Sequence, residues 1–270
     1  MRWLKRVAVA TVALAMVLTL IGYHHARANP VVRRMTVKLP GWPAGAKPVR
    51  VLLWSDIHIG NRVTGPERLA RLVDLANQLH PDLIVLAGDF IAGHEPADAV
   101  AAPGLDRLRG LHAPGGVIAV MGNHEYWTDA PLVRRVLARA GVIVLTNAAI
   151  RRGPLTIGGL DDMVNHRERV VTTVAAMRKL GGAPLMVSHS PDIAPRLPHG
   201  LPLLLAGHTH CGQIVVPGYG PLAEVSRPRY RCGAIREGGR LTLVTAGTGT
   251  SVVPLRWGAP PDWWLLTLGP

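Results

Sequence analysis

Residues Leu201 to Gln213 read LPLLLAGHTHCGQ, an apolar run that stops at Gly207 and delivers His208 and His210 two positions apart. On an extended backbone alternate residues point to one side, so the two imidazoles would share a face. Such a pair alone is equally the pattern of two ordinary surface histidines. The same construction, however, recurs four times. Val49–Trp54 runs into Asp56 and His58, Asp82–Gly88 into Asp89, Val117–Gly122 into Asn123 and His124, and Leu185–Ser188 into His189. Each run ends at a residue type that ligates metals. The mixed nitrogen and oxygen donors suit divalent Mn, Fe, Zn or Co without choosing among them.

Short continuous apolar runs separated by helical patterns read as buried strands of an α/β protein. In such sheets ligands and chemistry gather beyond the carboxyl ends of the strands. Glycine directly precedes Asp89, Asn123 and His208, which suits a sharp exit from a strand and a close backbone approach. The intervening patterns predict amphipathic helices over 66–80, 131–140 and 167–180, an edge strand over 31–39, a hairpin-like pair over 150–160, and strands over 241–246 and 263–268. Pro103-Gly104 interrupts a helical pattern between residues 95 and 112.

The N-terminus sets an address. Arg2, Lys5 and Arg6 precede an uncharged apolar stretch from Val7 to Gly22, and Ala26-Arg27-Ala28 offers a cleavage pattern. Residues 1–28 are therefore expected to be a signal sequence or an N-terminal membrane anchor, with one domain over 29–270. Export to the cell membrane or periplasm is the favoured address. Basic residues on both flanks also allow an anchor that faces the cytoplasm. The chain carries a net charge of +13; residues 1–28 hold four of the thirty basic residues and no acid, so 26 basic against 17 acidic residues leave +9 beyond them. A basic protein attracts anions. Arginine outnumbers lysine 26 to 4, the mark of a compositional drift, so the charge supports an anionic substrate only weakly. Cys211 and Cys232 are the two cysteines. Export would permit a disulfide, but a free thiol is expected here.

Taken together, Asp-Ile-His at 56–58, Gly-Asp at 88–89, Gly-Asn-His-Glu at 122–125, Ser-His-Ser-Pro around His189 and Gly-His-Thr-His at 207–210 resemble the signature of the calcineurin-like metallophosphoesterases. All five blocks stand in that family's order, from about Val49 onward. The Glu-Tyr-Trp after Gly-Asn-His, the His-Cys-Gly-Gln continuation and the tail Ala-Gly-Thr-Gly-Thr-Ser before Pro-Leu-Arg resemble a bacterial branch of exported or membrane-associated phosphodiesterases. Some of that branch are similar to UDP-2,3-diacylglucosamine hydrolases of lipid A synthesis. The resemblance implies an α/β fold, a four-layer α/β/β/α sandwich of two mixed sheets. It also implies two divalent metal ions, one held by Asp56, His58, Asp89 and His210, the other by Asp89, Asn123, His189 and His208, with Asp89 bridging. His124 would stand off the metals and stabilise the transferring phosphoryl group or protonate the leaving oxygen. Purple acid phosphatases carry a tyrosine ligand three residues after the bridging aspartate; Ala92 stands there, so no tyrosinate–iron site is expected.

The chemistry agrees with the resemblance. Two divalent ions roughly 3.5–4 Å apart supply a nucleophile at neutral pH and relieve charge on attacking and leaving oxygens. Two dications, the Asp56 and Asp89 carboxylates and a bridging hydroxide sum to about +1, a cluster that favours an anionic phosphoester. The expected reaction is phosphodiester hydrolysis. A lipid-linked or nucleotide-sugar pyrophosphate is the second substrate class, and a nuclease is disfavoured because the N-terminal segment separates the protein from chromosomal DNA. An amidohydrolase would place its His-x-His on the first strand. A membrane-anchored binding protein without catalysis would not need every ligand position intact. Among the remaining histidines His94 and His166 are the best placed, since both follow site strands, and Asp161-Asp162 is expected to shape a turn or cap.

Overall fold

The computed structural model describes residues 2–270. The chain begins with α1 (Arg2–Arg27), then β1 (Val31–Lys38), β2 (Val49–Trp54), α2 (Pro66–Asn77), β3 (Leu83–Ala87) and β4 (Val117–Val120). Next come α3 (Asn123–Trp127), α4 (Ala130–Arg139), β5 (Val142–Val144), β6 (Ala148–Arg152), β7 (Leu155–Gly159), α5 (Val170–Leu180), β8 (Ala183–Val187) and β9 (Leu203–Ala206). The remaining strands are β10 (Val215–Val216), β11 (Gly220–Pro221), β12 (Gly233–Glu237), β13 (Arg240–Val244) and β14 (Asp262–Gly269).

Two six-stranded mixed sheets carry the fold. The first runs β1-β14-β2-β3-β4-β5 and the second β12-β13-β9-β8-β7-β6, with β10 and β11 a small separate ribbon. Strands β2 to β5 are mutually parallel, as are β7, β8, β9 and β13. The sheets face each other across one apolar layer that includes Val51, Leu53, Val85 and Val120 from the first and Ile157, Leu185, Leu205 and Leu243 from the second. On its outer face the first sheet packs under α2 and α4, through Leu69, Leu72, Val133 and Leu137. The second sheet packs beneath α5 through Met177 and Met186. The result is the expected α/β/β/α sandwich.

Burial explains why the strands lack polar alternation. All five residues of β3 are buried, because helices cover one face and the second sheet the other. In α2 the apolar positions Leu69, Leu72, Val73 and Ala76 turn inward, and Pro66 sits in the first turn where its missing N–H costs no bond. The helix stops at Asn77, three residues short of the expected end, where His80 takes a left-handed conformation at φ 47°. Residues 96–110 wind as a 3₁₀ segment around Pro103. β1 is an edge strand as expected, yet its partner is β14 from the far end of the chain, paired in parallel.

Candidate metal centre

Because β2, β3, β4, β8, β9 and β13 end on one rim, the residues that follow them meet there. Asp56 and His58 follow β2, Asp89 follows β3, Asn123 and His124 open α3 after β4, His189 follows β8, and His208 and His210 follow β9. All eight expected site residues come together. Asp56, His58 and His210 form one cluster, and Asp89, His189 and His208 another, with the donor atoms of each lying within 4.8 Å of one another. His58 Nε2 lies 3.0 Å from His210 Nε2, while Asp56 Oδ1 is 3.5 Å from His210 Nε2 and 3.8 Å from His58 Nε2. In the second cluster His189 Nε2 is 3.1 Å from both Asn123 Oδ1 and His208 Nδ1. Asp89 Oδ2 stands between the two, 3.6 Å from His58 Nε2 and 3.2 Å from His189 Nε2.

Tight exits make this convergence possible. Asp56, His58, Asp89, His208 and His210 all have positive φ, between 48° and 72°. Asp and His tolerate that region better than most side chains, but each such residue still stores strain. Glycine is required where backbones touch these side chains. A Cβ on Gly122 would lie 2.2 Å from Asp89 Oδ1, and one on Gly207 would lie 2.4 Å from Asp56 Oδ2. The glycines before Asn123 and His208 thus serve close approach, as their positions in the sequence suggest.

The electrostatics suit cations. Burial lowers His58 to about 3, with His124 adding to the effect, and burial also lowers His208 to about 3 and His210 well below the usual imidazole value. These three rings are neutral at pH 7 and have lone pairs to give. Burial opposes a charge on His189 as well, but the Asp89 and Asp56 carboxylates overcome it and hold the ring at about 10. Asp89, despite its burial, is carried well below the usual carboxylate range by His189 and His124. Burial raises Asp56 to about 6. Two buried carboxylates thus draw a proton onto one ligand-type ring, and neutral nitrogens crowd around them. That donor set fits divalent metal ions.

His124 is oriented rather than free. Its Nδ1 lies 2.8 Å from the Gly93 carbonyl, so the N–H there donates to that oxygen and turns Nε2 inward, 3.7 Å from Asp89 Oδ2. His58, Asp89 and His124 also lie close enough to form a third ligand group, so distance alone would admit His124 to a metal. The His94 ring stacks on Trp127 and packs against His124 with centroids 4.6 Å apart. A cleft of about 390 Å³ opens beside it, lined by Arg62, His94, Val252 and Val253. His166 is not part of this cluster; it ends a turn shaped by Asp162, whose carboxylate accepts from the Asn165 N–H at 2.8 Å. Asp161 accepts from the Tyr126 hydroxyl.

Two supporting residues were not singled out from the sequence. Glu125 is fully buried and its carboxylate accepts four backbone N–H groups: Gly122 at 2.7 Å, Phe90 at 2.8 Å, Asp89 at 3.1 Å and Ile91 at 3.2 Å. Burial and the Asp89 charge push it up to about 7 against the pull of those donors. Its signal was an acid three residues after Gly122, a capping position at the start of a helix. Arg256, also fully buried, donates to the carbonyls of Ala246, Gly249 and Ala259, and its Nη2 lies 3.2 Å from His210 Nδ1. The cysteine expectation is overturned. Cys211 and Cys232 form a disulfide, with Cα atoms 4.7 Å apart, because the chain returns past His210 after β11.

Comparison with known proteins gives the chain a family. The sequence pattern of the calcineurin-like phosphoesterases matches residues 49–212. An uncharacterized metallophosphoesterase of Bacillus subtilis, YkuE, is 30% identical over 241 residues, covering 86% of this chain and 83% of that protein. A Caenorhabditis elegans metallophosphoesterase is 31% identical over 210 residues, covering 72% of this chain and 43% of its own length. Among solved structures, a 5'-nucleotidase precursor from Thermus thermophilus aligns with a TM-score of 0.48 at 14% identity, over 82% of this chain and 55% of its own. This chain therefore spans under half of the worm protein and about half of the nucleotidase. It belongs to the calcineurin-like phosphoesterase family.

Proposed function

We propose that the rim holds two divalent ions and hydrolyses phosphodiesters. Asp56, His58, Asp89 and His210 would bind one ion, and Asp89, Asn123, His189 and His208 the other. The observation that carries this is the position of Asp89, with one carboxylate oxygen within 3.6 Å of a donor from each cluster. When bound, such ions lower the pKa of water and offset charge on the phosphoryl oxygens. The chain's own residues do the rest. Glu125 fixes the turn that carries Asp89. His124, with Nδ1 committed to Gly93, presents Nε2 towards the phosphoryl group, where it stabilises developing charge or gives a proton to the leaving oxygen.

Residues 1–28 would place this domain, residues 29–270, at a membrane or export it across one. The 26-residue helix α1 is long and apolar enough to cross a bilayer, with a mean hydropathy of 2.0 over its best window. That address supports a second reading in which the substrate is a lipid-linked or nucleotide-sugar pyrophosphate such as UDP-2,3-diacylglucosamine. A panel of an aryl phosphodiester, an aryl monoester, UDP-2,3-diacylglucosamine and single-stranded DNA tests the choice with Mn-loaded enzyme. The first reading expects the aryl diester to turn over ahead of the monoester. Preference for the lipid compound would favour the second, and DNA cleavage that weakens steeply with salt would favour a nuclease. No turnover of any compound by protein with bound metal would remove the substrate reading.

A further inference from the structure

The two ends of α1 have different surroundings. Every residue from Arg2 to Ile21 is exposed, whereas Gly22 and Ala26 are buried. The last turn of the helix is fastened to the domain at several points. The Arg256 N–H donates to the Gly22 carbonyl at 3.0 Å. Trp257 lies so close over Gly22 that a Cβ there would stand 2.5 Å from Trp257 Nε1. Arg68 Nη2 donates to the Ala26 carbonyl at 3.1 Å, the Ala28 carbonyl at 3.3 Å and the Thr248 carbonyl at 3.2 Å. The Tyr23 hydroxyl donates to the Arg62 carbonyl at 3.1 Å, and the His25 ring meets Trp257 edge-on.

The segments that receive this turn also support the metal centre. Thr248 accepts from Trp54 Nε1 at 2.8 Å, and the Gly249 N–H donates to the Asp56 carbonyl at 2.6 Å. Arg256 reaches His210. Removal of residues 1–28 would strip Arg68, a buried cation whose Nε and Nη1 have no partner among the described residues, of two of its three acceptors. It would also leave the Arg256 N–H unpaired. Water would have to take the place of each acceptor that the turn supplies, and the apolar contact of Gly22 with Trp257 would be lost.

From these contacts we propose that residues 22–28 are a permanent part of the catalytic unit, so that Ala26-Arg27-Ala28 is not a processing site and α1 is a retained anchor. The proposal takes from the proposed function only the choice between signal and anchor for residues 1–28, and decides it. Residues 7–21 are uncharged and make about 23 Å of helix at 1.5 Å per residue, and the long side chains of Arg2, Lys5 and Arg6 at the head of the helix can reach the headgroups to complete a span. No linker separates them from the domain. The rim and the cleft between Arg62, His94 and Val252 are then held beside the membrane surface.

The test uses the full chain with a C-terminal tag, recovered from washed membranes and purified in detergent. Intact mass spectrometry should find a chain that starts at Met1 or Arg2; a chain that starts at Asn29 overturns the proposal whether or not the enzyme is active. Hydrogen exchange on the same protein should show residues 22–28 and the Arg256 amide protected at least ten-fold over the exposed loop 223–225. Gly22→Val should abolish that protection without changing where the chain begins. Free exchange of these amides in the parent, or unchanged protection in Gly22→Val, also overturns it. None of these readouts depends on phosphoester hydrolysis, so failure here and failure of the catalytic reading are distinguishable.

Discussion

Replacing Glu125 by Gln probes how the fold holds the candidate metal centre. The two carboxylate oxygens accept in pairs: one takes the Phe90 and Ile91 N–H groups, the other those of Asp89 and Gly122. Glutamine has nearly the same shape but offers one carbonyl oxygen, so its NH₂ would face two of the four donors. Each buried donor left unpaired costs roughly 1–3 kcal/mol, which puts Glu125→Gln at about 2–6 kcal/mol. Glu125→Ala would orphan all four and approach the whole stability of a typical domain, roughly 5–15 kcal/mol, so Gln is the informative variant. Urea unfolding of the metal-free full chain in detergent measures the loss. The freed amides are those of Asp89 and its neighbours, so metal affinity should also fall by about 10–100-fold, as for other residues that orient ligands. A Gln variant within about 0.5 kcal/mol of the parent, on the scale of an ordinary surface substitution, would refute the satisfaction argument. A destabilised variant with unchanged affinity would refute the coupling to Asp89.

Three further outcomes are expected. His124→Ala should keep its metals and lose about 10²–10⁴-fold in kcat; loss of metal would instead make His124 a ligand, which its distance to His58 and Asp89 permits. His189, held at about 10 against an ordinary 6.5, gives the metal-free protein stability that is full below pH 6.5 and lost as pH rises through 10. Melting temperatures of metal-free protein should therefore fall between pH 6.5 and 10. Loading Mn at pH 7 should release about one proton from that ring, measured by calorimetry in buffers of different ionisation enthalpy; a flat pH profile would argue against a charged His189. Thiol titration should find no free cysteine before reduction and two after it. With a sequence separation of 21, losing the Cys211–Cys232 link should cost about 3 kcal/mol and loosen the segment that carries His210.

Much of the candidate centre was legible because strand ends and ligand types coincide. β3 and β9 are apolar from end to end, and each is followed within a few residues by glycine and then Asp89 or His208. That pattern carries both the sheet and the site. Sequence also exposed Asp162 as a turn former, since a carboxylate beside backbone N–H groups caps locally. Features that depend on distant segments were hidden. The disulfide requires residues 211 and 232 to meet after an intervening ribbon, which spacing alone does not reveal. Arg256 belongs to no ligand type and reaches His210 from 46 residues away. The parallel pairing of β1 with β14 joins the two ends of the domain, and neither strand's alternation identifies its neighbour.

Asp89 is proposed to serve two ions at once, and metal stoichiometry tests this most directly. Full-length protein, stripped of metal and refilled with Mn, should bind two ions per chain and hydrolyse an aryl phosphodiester only when loaded. Asp89→Ala should fail to hold the pair and lose the metal-dependent turnover. A parent that binds a single ion, or an Asp89→Ala variant that keeps both ions and its activity, would contradict the central claim.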